Sequence, residues 1–579
     1  MRICRVVLLT VSALIPASAA LTVEQRLHDF QQLAALYNKY YAPANWKIEA
    51  LGVNLFDLRP WYERVRAAKN DLEYLDLCVK YVASLQDGHS SFRMGSSYQI
   101  FLLVDLDLYD GKFLFENVDR RVYPVAQYPF TVGDELVSVN GKPAMEVARE
   151  LIRNANYAND RASLRLAANY LLFRPQTVFP LAALEADTVT IEVRRNETGA
   201  VETYTIPWTR FGEPVLGFPS LPNLNVSSEQ PVRAADREEA ALDSSPAIVE
   251  RRRFADGQLE ETAFLGQGAR TPYYAPPAGF VRRRGVGSDI TYSGTYTANG
   301  LRIGLIRIPN WSQGNAAAKN ALFREIEAEV AFMQANTDGL IVDVSRNNGG
   351  SCSGDTLSRF TRERIKVYQT LLLPTSSLIR TYESLLNAAR QSSEPWVVEM
   401  YQYMLGAIRD AAASGTRSLT GPLPSCESFE LTSGAVFARV DEYPPYRDST
   451  GQLAGYSKPM IVLVDDLSFS QAEHFPAMFQ DAKRGLVVGI RTAGLGGTVI
   501  TAAAPAYGEG TIRYTSALTV RNSVVSFPGL PSAPYIENFG VIPDVQLDSM
   551  TRENLLTGFR PFVEGFTQIM VDHIRRSAP

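Results

Sequence analysis

The sequence predicts a multidomain α/β protein, and three observations carry that expectation. Gly339-Leu340-Ile341-Val342-Asp343-Val344 and Met460-Ile461-Val462-Leu463-Val464 are short apolar runs without polar alternation. Such runs suit strands covered on both faces, as in a parallel sheet between helices. The second run passes through a polar turn into an amphipathic helix that leads to a third apolar run, Leu486-Val487-Val488-Gly489-Ile490, so strand, helix and strand alternate. The chain has 579 residues, too many for one hydrophobic core.

Residues 1–20 combine Arg2 and Arg5, the apolar stretch Val6 to Ile15, and Pro16-Ala17-Ser18-Ala19-Ala20. This is the order of a secretory signal, with the mature chain expected to start at Ala20 or Leu21. The stretch is far shorter than the roughly 20 residues that span a bilayer, and no later stretch reaches that length. The expectation is a secreted protein without a membrane span, extracellular or periplasmic according to its source. Residues 21–95 show helical spacing, as in Leu27, Phe30, Leu33, Tyr37 and Tyr40, and predict a small helical domain. From 96 to 210 the pattern changes to short strands. Asn140-Gly141 between two of them is a hairpin signal, and Val132-Gly133-Asp134-Glu135-Leu136-Val137-Ser138-Val139-Asn140-Gly141 resembles a PDZ-type module, which would capture a peptide by strand addition.

Residues 211–298 scatter Pro, Gly and Ser among charges and read as a long loop or linker. The runs Arg251-Arg252-Arg253 and Arg282-Arg283-Arg284 read as solvated loop charge, and an inhibitory or self-cleaved segment would also fit this place in the chain. Residues 299–550 form the α/β unit, with a helical insertion expected at 355–420. There Leu371-Leu372-Leu373, Trp396, Met400, Tyr403 and Met404 suggest core stripes rather than a substrate lid. Residues 551–579 predict a C-terminal helix.

The net charge is −5, and loss of Arg2 and Arg5 with the signal makes it more negative. This disfavours nucleic acid, which requires a concentrated basic face. No His-x-x-x-His or Cys-x-x-Cys spacing occurs, so neither a metal nor another cofactor is expected. Of the cysteines left after export, Cys352 and Cys426 flank the insertion and are the favoured pair, while Cys78 is left over.

Ser470 lies in Asp465-Asp466-Leu467-Ser468-Phe469-Ser470-Gln471-Ala472-Glu473, at the corner between strand and helix. A hydroxyl there can be an N-cap, or it can be a nucleophile in the positive field of a helix N-terminus. Asp87-Gly88-His89-Ser90 presents an imidazole on a turn after a helical stretch, Leu72 to Leu85, where a general base or a backbone-bonded histidine would both fit. Of the other histidines, His28 and His573 lie in charged helices, and His474 is fixed one turn beyond Ser470. Glu537 sits in Pro534-Tyr535-Ile536-Glu537-Asn538-Phe539-Gly540 and could orient an imidazole. Asn347-Asn348-Gly349-Gly350 follows a buried strand, where paired glycines can expose amides to an oxyanion or simply make a turn.

Together these segments resemble the tail-specific, or C-terminal-processing, serine protease family. Asp343-Val344-Ser345-Arg346-Asn347-Asn348-Gly349-Gly350 is similar to its Asp-Leu-Arg-x-Asn-x-Gly-Gly, with Ser345 where the family has Arg. Ser468-Phe469-Ser470-Gln471-Ala472-Glu473 is similar to Ser-x-Ser-Ala-x-Glu. Where the bacterial branch carries its base lysine, this chain has Leu495. The matching branch is the one typified by the tricorn core protease and the chlamydial protease-like activity factor, on the strength of Asp87-Gly88-His89-Ser90 and Glu537-Asn538-Phe539-Gly540-Val541-Ile542-Pro543-Asp544. The resemblance implies a crotonase-like α/β catalytic domain and a Ser470–His89–Glu537 triad. It also implies oxyanion donors at Gly349, Gly350 and Gln471, and a protein or peptide substrate. A homodimer is compatible with it. The competing expectation is a catalytically idle relative that binds apolar ligands or peptides.

Overall fold

The computed structural model describes residues 20–577 apart from 158, 219–220, 223–250, 256–257, 263, 314–315, 351–353, 393–394, 416 and 425–441. The expected signal, and both cysteines of the expected 352–426 pair, therefore lie outside the described residues. Cys78 is buried and free, its thiol pushed up by burial.

Four helices open the described chain: α1 (Val23–Tyr40), α2 (Ala44–Leu51), α3 (Arg59–Ala67) and α4 (Asp71–Ala83). Thr22 caps α1 and Asn70 caps α4, each side chain accepting an amide of the first turn. Phe30, Leu33 and Tyr37 of α1 pack with Leu75, Val79 and Val82 of α4, as the helical spacing predicts. This block is welded to the rest of the molecule. Strand Ser91–Met94 pairs antiparallel with Gly510–Thr515, which puts Ser91 opposite Arg513.

The second unit is an antiparallel sheet in the order Val104–Tyr109, Lys112–Val118, Glu135–Val139, Thr188–Arg194, Val201–Pro207. The predicted hairpin is there: Asn140 and Gly141 both have positive φ, +50° and +76°, and Val139 pairs with Lys142. Helices Ala144–Ile152 and Asp160–Leu171 lie against this sheet.

The third unit is built on a seven-stranded sheet: β1 (Val281–Arg284), β2 (Tyr292–Ala298), β3 (Leu301–Arg307), β4 (Gly339–Asp343), β5 (Met460–Val464), β6 (Leu486–Gly489) and β7 (Val545–Gln546), neighbours in that order. From β3 onward the pairing is parallel. Strand alternation sorts the apolar residues onto two faces. Leu340, Val342 and Val462 meet Leu322, Ile326 and Met333 of helix Ala316–Asn336 and Phe475 of helix Gln471–Asp481. Ile341, Ile461 and Leu463 meet Phe562, Phe566 and Met570 of the C-terminal helix Arg560–Ser577. Helices thus cover both faces, which is why β4 and β5 read as unbroken apolar runs.

The structure corrects three expectations. Residues 211–298 are not all loop, because β1 and β2 extend the central sheet, with Tyr292 and Tyr296 buried on the C-terminal helix side. Scattered Gly and Ser hid a strand whose inward positions are aromatic. Arg283 and Arg284 are not solvated loop charge either, since both pair with the buried carboxylate of Glu329, at 3.0 and 3.1 Å. Leu371 and Leu372 belong to strand Gln369–Leu372 rather than to the helices of the insertion, Ser376–Ser392 and Pro395–Ala413. Met400 and Met404 are core there, but Tyr403 points outward. No helix among the described residues is long and apolar enough to cross a membrane.

Candidate active site

The parallel strands all end on one side, where crossovers leave room for a site. The loops after β4, β5 and β6 meet there. After β5 the chain turns through Asp465–Phe469 and starts helix Gln471–Asp481 at Ser470, whose φ is +52° and ψ −116°. An N-cap residue normally has extended angles, so this is a strained elbow rather than an ordinary cap. The elbow is held from two sides. Phe469 N–H donates to the Asn347 carbonyl at 3.0 Å, and Ser470 N–H donates to Glu473 Oε2 at 3.0 Å.

Glu473 is the strut of the site. Its Oε1 accepts from Thr492 Oγ1 at 2.6 Å and Gly494 N–H at 2.7 Å, and its Oε2 also accepts Leu495 N–H at 2.8 Å. One carboxylate therefore fixes the elbow to the loop after β6. Burial pushes the carboxyl up to about 7, opposed by the Thr492 hydroxyl and these amides.

Gly349 presses on the elbow. A Cβ there would lie 2.8 Å from Phe469 O and Ser470 Cβ and 3.1 Å from Gln471 N, and its φ is +81°. Only glycine allows the approach. Its amide, however, donates to Asn347 Oδ1 at 2.8 Å. This corrects its expected role as an oxyanion donor: Gly349 is a spacer. Gly350, at φ +132°, bridges to Trp311.

His89 follows α4 on a turn organised by Asp87, which accepts His89 N–H at 2.8 Å, Ser90 Oγ at 3.0 Å and Thr515 Oγ1 at 2.7 Å. Gly88 lets this turn wedge into the site, since a Cβ there would fall 1.8 Å from the Tyr157 ring and 2.7 Å from Leu495 Cδ2. The imidazole is fully buried, and neither ring nitrogen has a hydrogen-bond partner. Burial depresses it to about 4; Asp87 works the other way, while Arg513, His474 and Lys47 add to the depression.

Glu537 is also fully buried. Its Oε2 accepts Gly496 N–H at 3.1 Å, and its Oε1 pairs with Lys47 Nζ at 2.5 Å. Burial and the neighbouring Asp87 carboxylate push it up to about 8 against the pull of Lys47. The structure thus gathers the loops bearing Ser470, Gly349, Gly350, Gln471, His89 and Glu537 around one elbow. It does not hydrogen-bond His89 to Ser470 or to Glu537.

Residues 302–547 match the peptidase family S41 model, and residues 98–215 match a PDZ domain model. The chain is a serine-type peptidase whose residues 302–547 are similar to the S41 family. A protein of Chlamydia trachomatis is 23% identical over 94% of this peptidase and 92% of its own length, and one of Chlamydia pneumoniae is 23% identical over 99% and 94%. The fold matches that of mature CPAF and of mature CPAF complexed with lactacystin, each with a TM-score of 0.73 at 19% identity, covering 96% of this chain and 99% of that one.

Sequence reasoning missed two residues of the peptidase's site. Lys47 gives no signal, because a lysine in a charged amphipathic helix is usually solvated. Glu473 was visible as the last residue of a Ser-x-x-Glu pattern, which on a helix start implies a side chain reaching back to the first amide. Ser345, where the motif of the resemblance has Arg, donates to Asp343 Oδ1, and Arg307 of β3 pairs with the same carboxylate, 2.8 Å from Asp343 Oδ2.

Proposed function

We propose that this peptidase hydrolyses peptide bonds through an acyl-enzyme, with Ser470 as nucleophile, His89 as general base and Glu537 as the carboxylate that steadies the imidazolium. The observation that carries the reading is the strained elbow, whose φ of +52° the capping box between Ser470 and Glu473 does not require, placed at a helix N-terminus against Gly349. Ser470 Oγ would attack the scissile carbonyl as His89 takes its proton; His89 would return that proton to the leaving amine, and water would release the acyl group. Gly350 and Gln471 amides would hold the oxyanion, each such donor contributing about 3 kcal/mol to the lowered barrier. A buried imidazole without a partner is costly, which suits a group awaiting a proton from a hydroxyl rather than a structural histidine.

The reading includes export with loss of residues 1–20, and protein or peptide chains as substrates. The test is labelling by a fluorophosphonate followed by peptide mapping. The expected adduct lies on Ser470, and its rate of formation climbs as pH rises through about 8, because His89 must be neutral and Glu537 charged. A folded, processed sample that takes no label would favour an idle binding relative. Purified Ser470→Ala is also expected to stay full length where wild type is cut within 211–298; identical fragments from both would end the self-cleavage idea.

A further inference from the structure

We infer that Lys47 is a positioning residue of the peptidase site, an ammonium that fastens the general-base turn to the acid loop and favours the ionised form of Glu537. The inference rests on the Ser470–His89–Glu537 reading and goes beyond it to a residue outside the S41 domain. Three contacts converge on Nζ: Glu537 Oε1 at 2.5 Å, Asn538 Oδ1 at 3.0 Å, and the carbonyl of Gln86 at 3.0 Å. Gln86 has φ +49° and stands just before Asp87-Gly88-His89, so one charged group touches both segments that must meet. The neighbouring Trp46 donates its indole N–H to Asn538 Oδ1 at 2.9 Å and stacks on Phe539 at 5.6 Å, while Asn538 Nδ2 reaches Gln86 O at 3.3 Å. Helix α2 therefore clamps turn and loop with two consecutive side chains.

The charges around Glu537 explain why a cation is needed. Asp87 and Glu537 are both enclosed, and the Asp87 carboxylate raises the cost of ionising Glu537. The groups near this pair are His89 from the same turn and Tyr41 between α1 and α2, while Arg513 from the strand paired with Ser91 and His474 from the helix after Ser470 act on His89. None of these contacts the Glu537 carboxylate among the described residues; the cation paired with it is Lys47. A solvated lysine would not serve, since burial without water strengthens the pair and fixes its geometry.

The test is a double-mutant cycle on the full chain, reading kcat/KM against pH with a fluorogenic unfolded-protein substrate. Glu537→Gln is expected to lose about 10³–10⁴-fold, and Lys47→Met about 100-fold, the scale of a mispositioned catalytic group. The loss in Lys47→Met should shrink as pH rises, because without the ammonium the carboxylate ionises only at higher pH. Lys47→Arg should restore the position of that acid limb. Adding Lys47→Met to Glu537→Gln should cost well under the 100-fold expected of Lys47→Met alone, because only the Gln86 and Asn538 contacts are then still lost. If Lys47→Met does not fold, the charge-neutral pair Lys47→Met/Glu537→Gln is compared with Glu537→Gln alone, with the same expectation. A second loss multiplying the first, or a Lys47→Met profile lowered equally at every pH, overturns the inference while leaving the triad intact. Full activity in Glu537→Gln sinks the triad itself.

Discussion

Ser470→Ala and His89→Ala are each expected to lower kcat/KM by about 10⁶-fold, with the double variant no worse than either, if the proposed nucleophile and base act as one unit. The fold survives both changes. Replacing serine by alanine at φ +52° adds no backbone strain that was not already there, and the amide bond to Glu473 does not involve the hydroxyl. His89 gives up no hydrogen bond, since neither ring nitrogen makes one; the cost is a cavity, about 1–3 kcal/mol, offset by removing two unsatisfied buried nitrogens. Circular dichroism and melting temperature therefore stay near wild type while cleavage is lost. Activity within about ten-fold of wild type in either variant would overturn the assignment, and a matching collapse of the melting curve in His89→Ala would reduce that residue to a structural role.

What the sequence made legible is what has a period or a motif. Strands β4 to β6 are apolar throughout because helices cover both faces, and helix α1 shows its buried stripe at the expected spacing. Asn140-Gly141 makes a hairpin because both positions need positive φ. The four motifs of the resemblance fall at the loops that surround the elbow. What stayed hidden depends on partners distant in the chain. Strand β2 carries its aromatic residues among glycine and threonine, so its character shows only once the C-terminal helix packs against Tyr292 and Tyr296. Lys47 lies 490 positions from Glu537 and carries no local sign of burial. Gly349 and Gly350 read alike in sequence, yet one amide is spent on Asn347, a distinction made by side-chain rotation and not by residue type.

Arg165→Met is expected to destabilise the peptidase by about 3–5 kcal/mol, the usual cost of removing one partner from a buried charge cluster. Arg165 lies on helix Asp160–Leu171 of the PDZ-like unit and is fully enclosed. Its guanidinium bonds Asp107 at 2.6 Å in the same unit and Asp465 at 3.3 Å, and it also contacts Asp466, both in the turn that leads to Ser470. Asp465 Oδ1 in turn accepts Arg346 N–H at 2.7 Å from the glycine loop. Methionine fills similar volume without charge, so the effect is electrostatic rather than a cavity. It leaves Asp466, whose carboxyl burial already pushes up, with only Arg161 at 3.0 Å. A buried carboxyl deprived of its cation holds its proton to higher pH, so the destabilisation is largest in alkaline solution and diminishes as pH falls and the acid becomes neutral. Urea unfolding at two pH values measures this dependence, and an equal loss at both would mean packing rather than charge. Because the same cluster anchors the turn before the nucleophile, kcat should fall in parallel with stability. A variant that unfolds earlier yet cleaves at the wild-type rate would show that the elbow is held by Glu473 and Asn347 alone, with the PDZ-like unit attached to it but not supporting it.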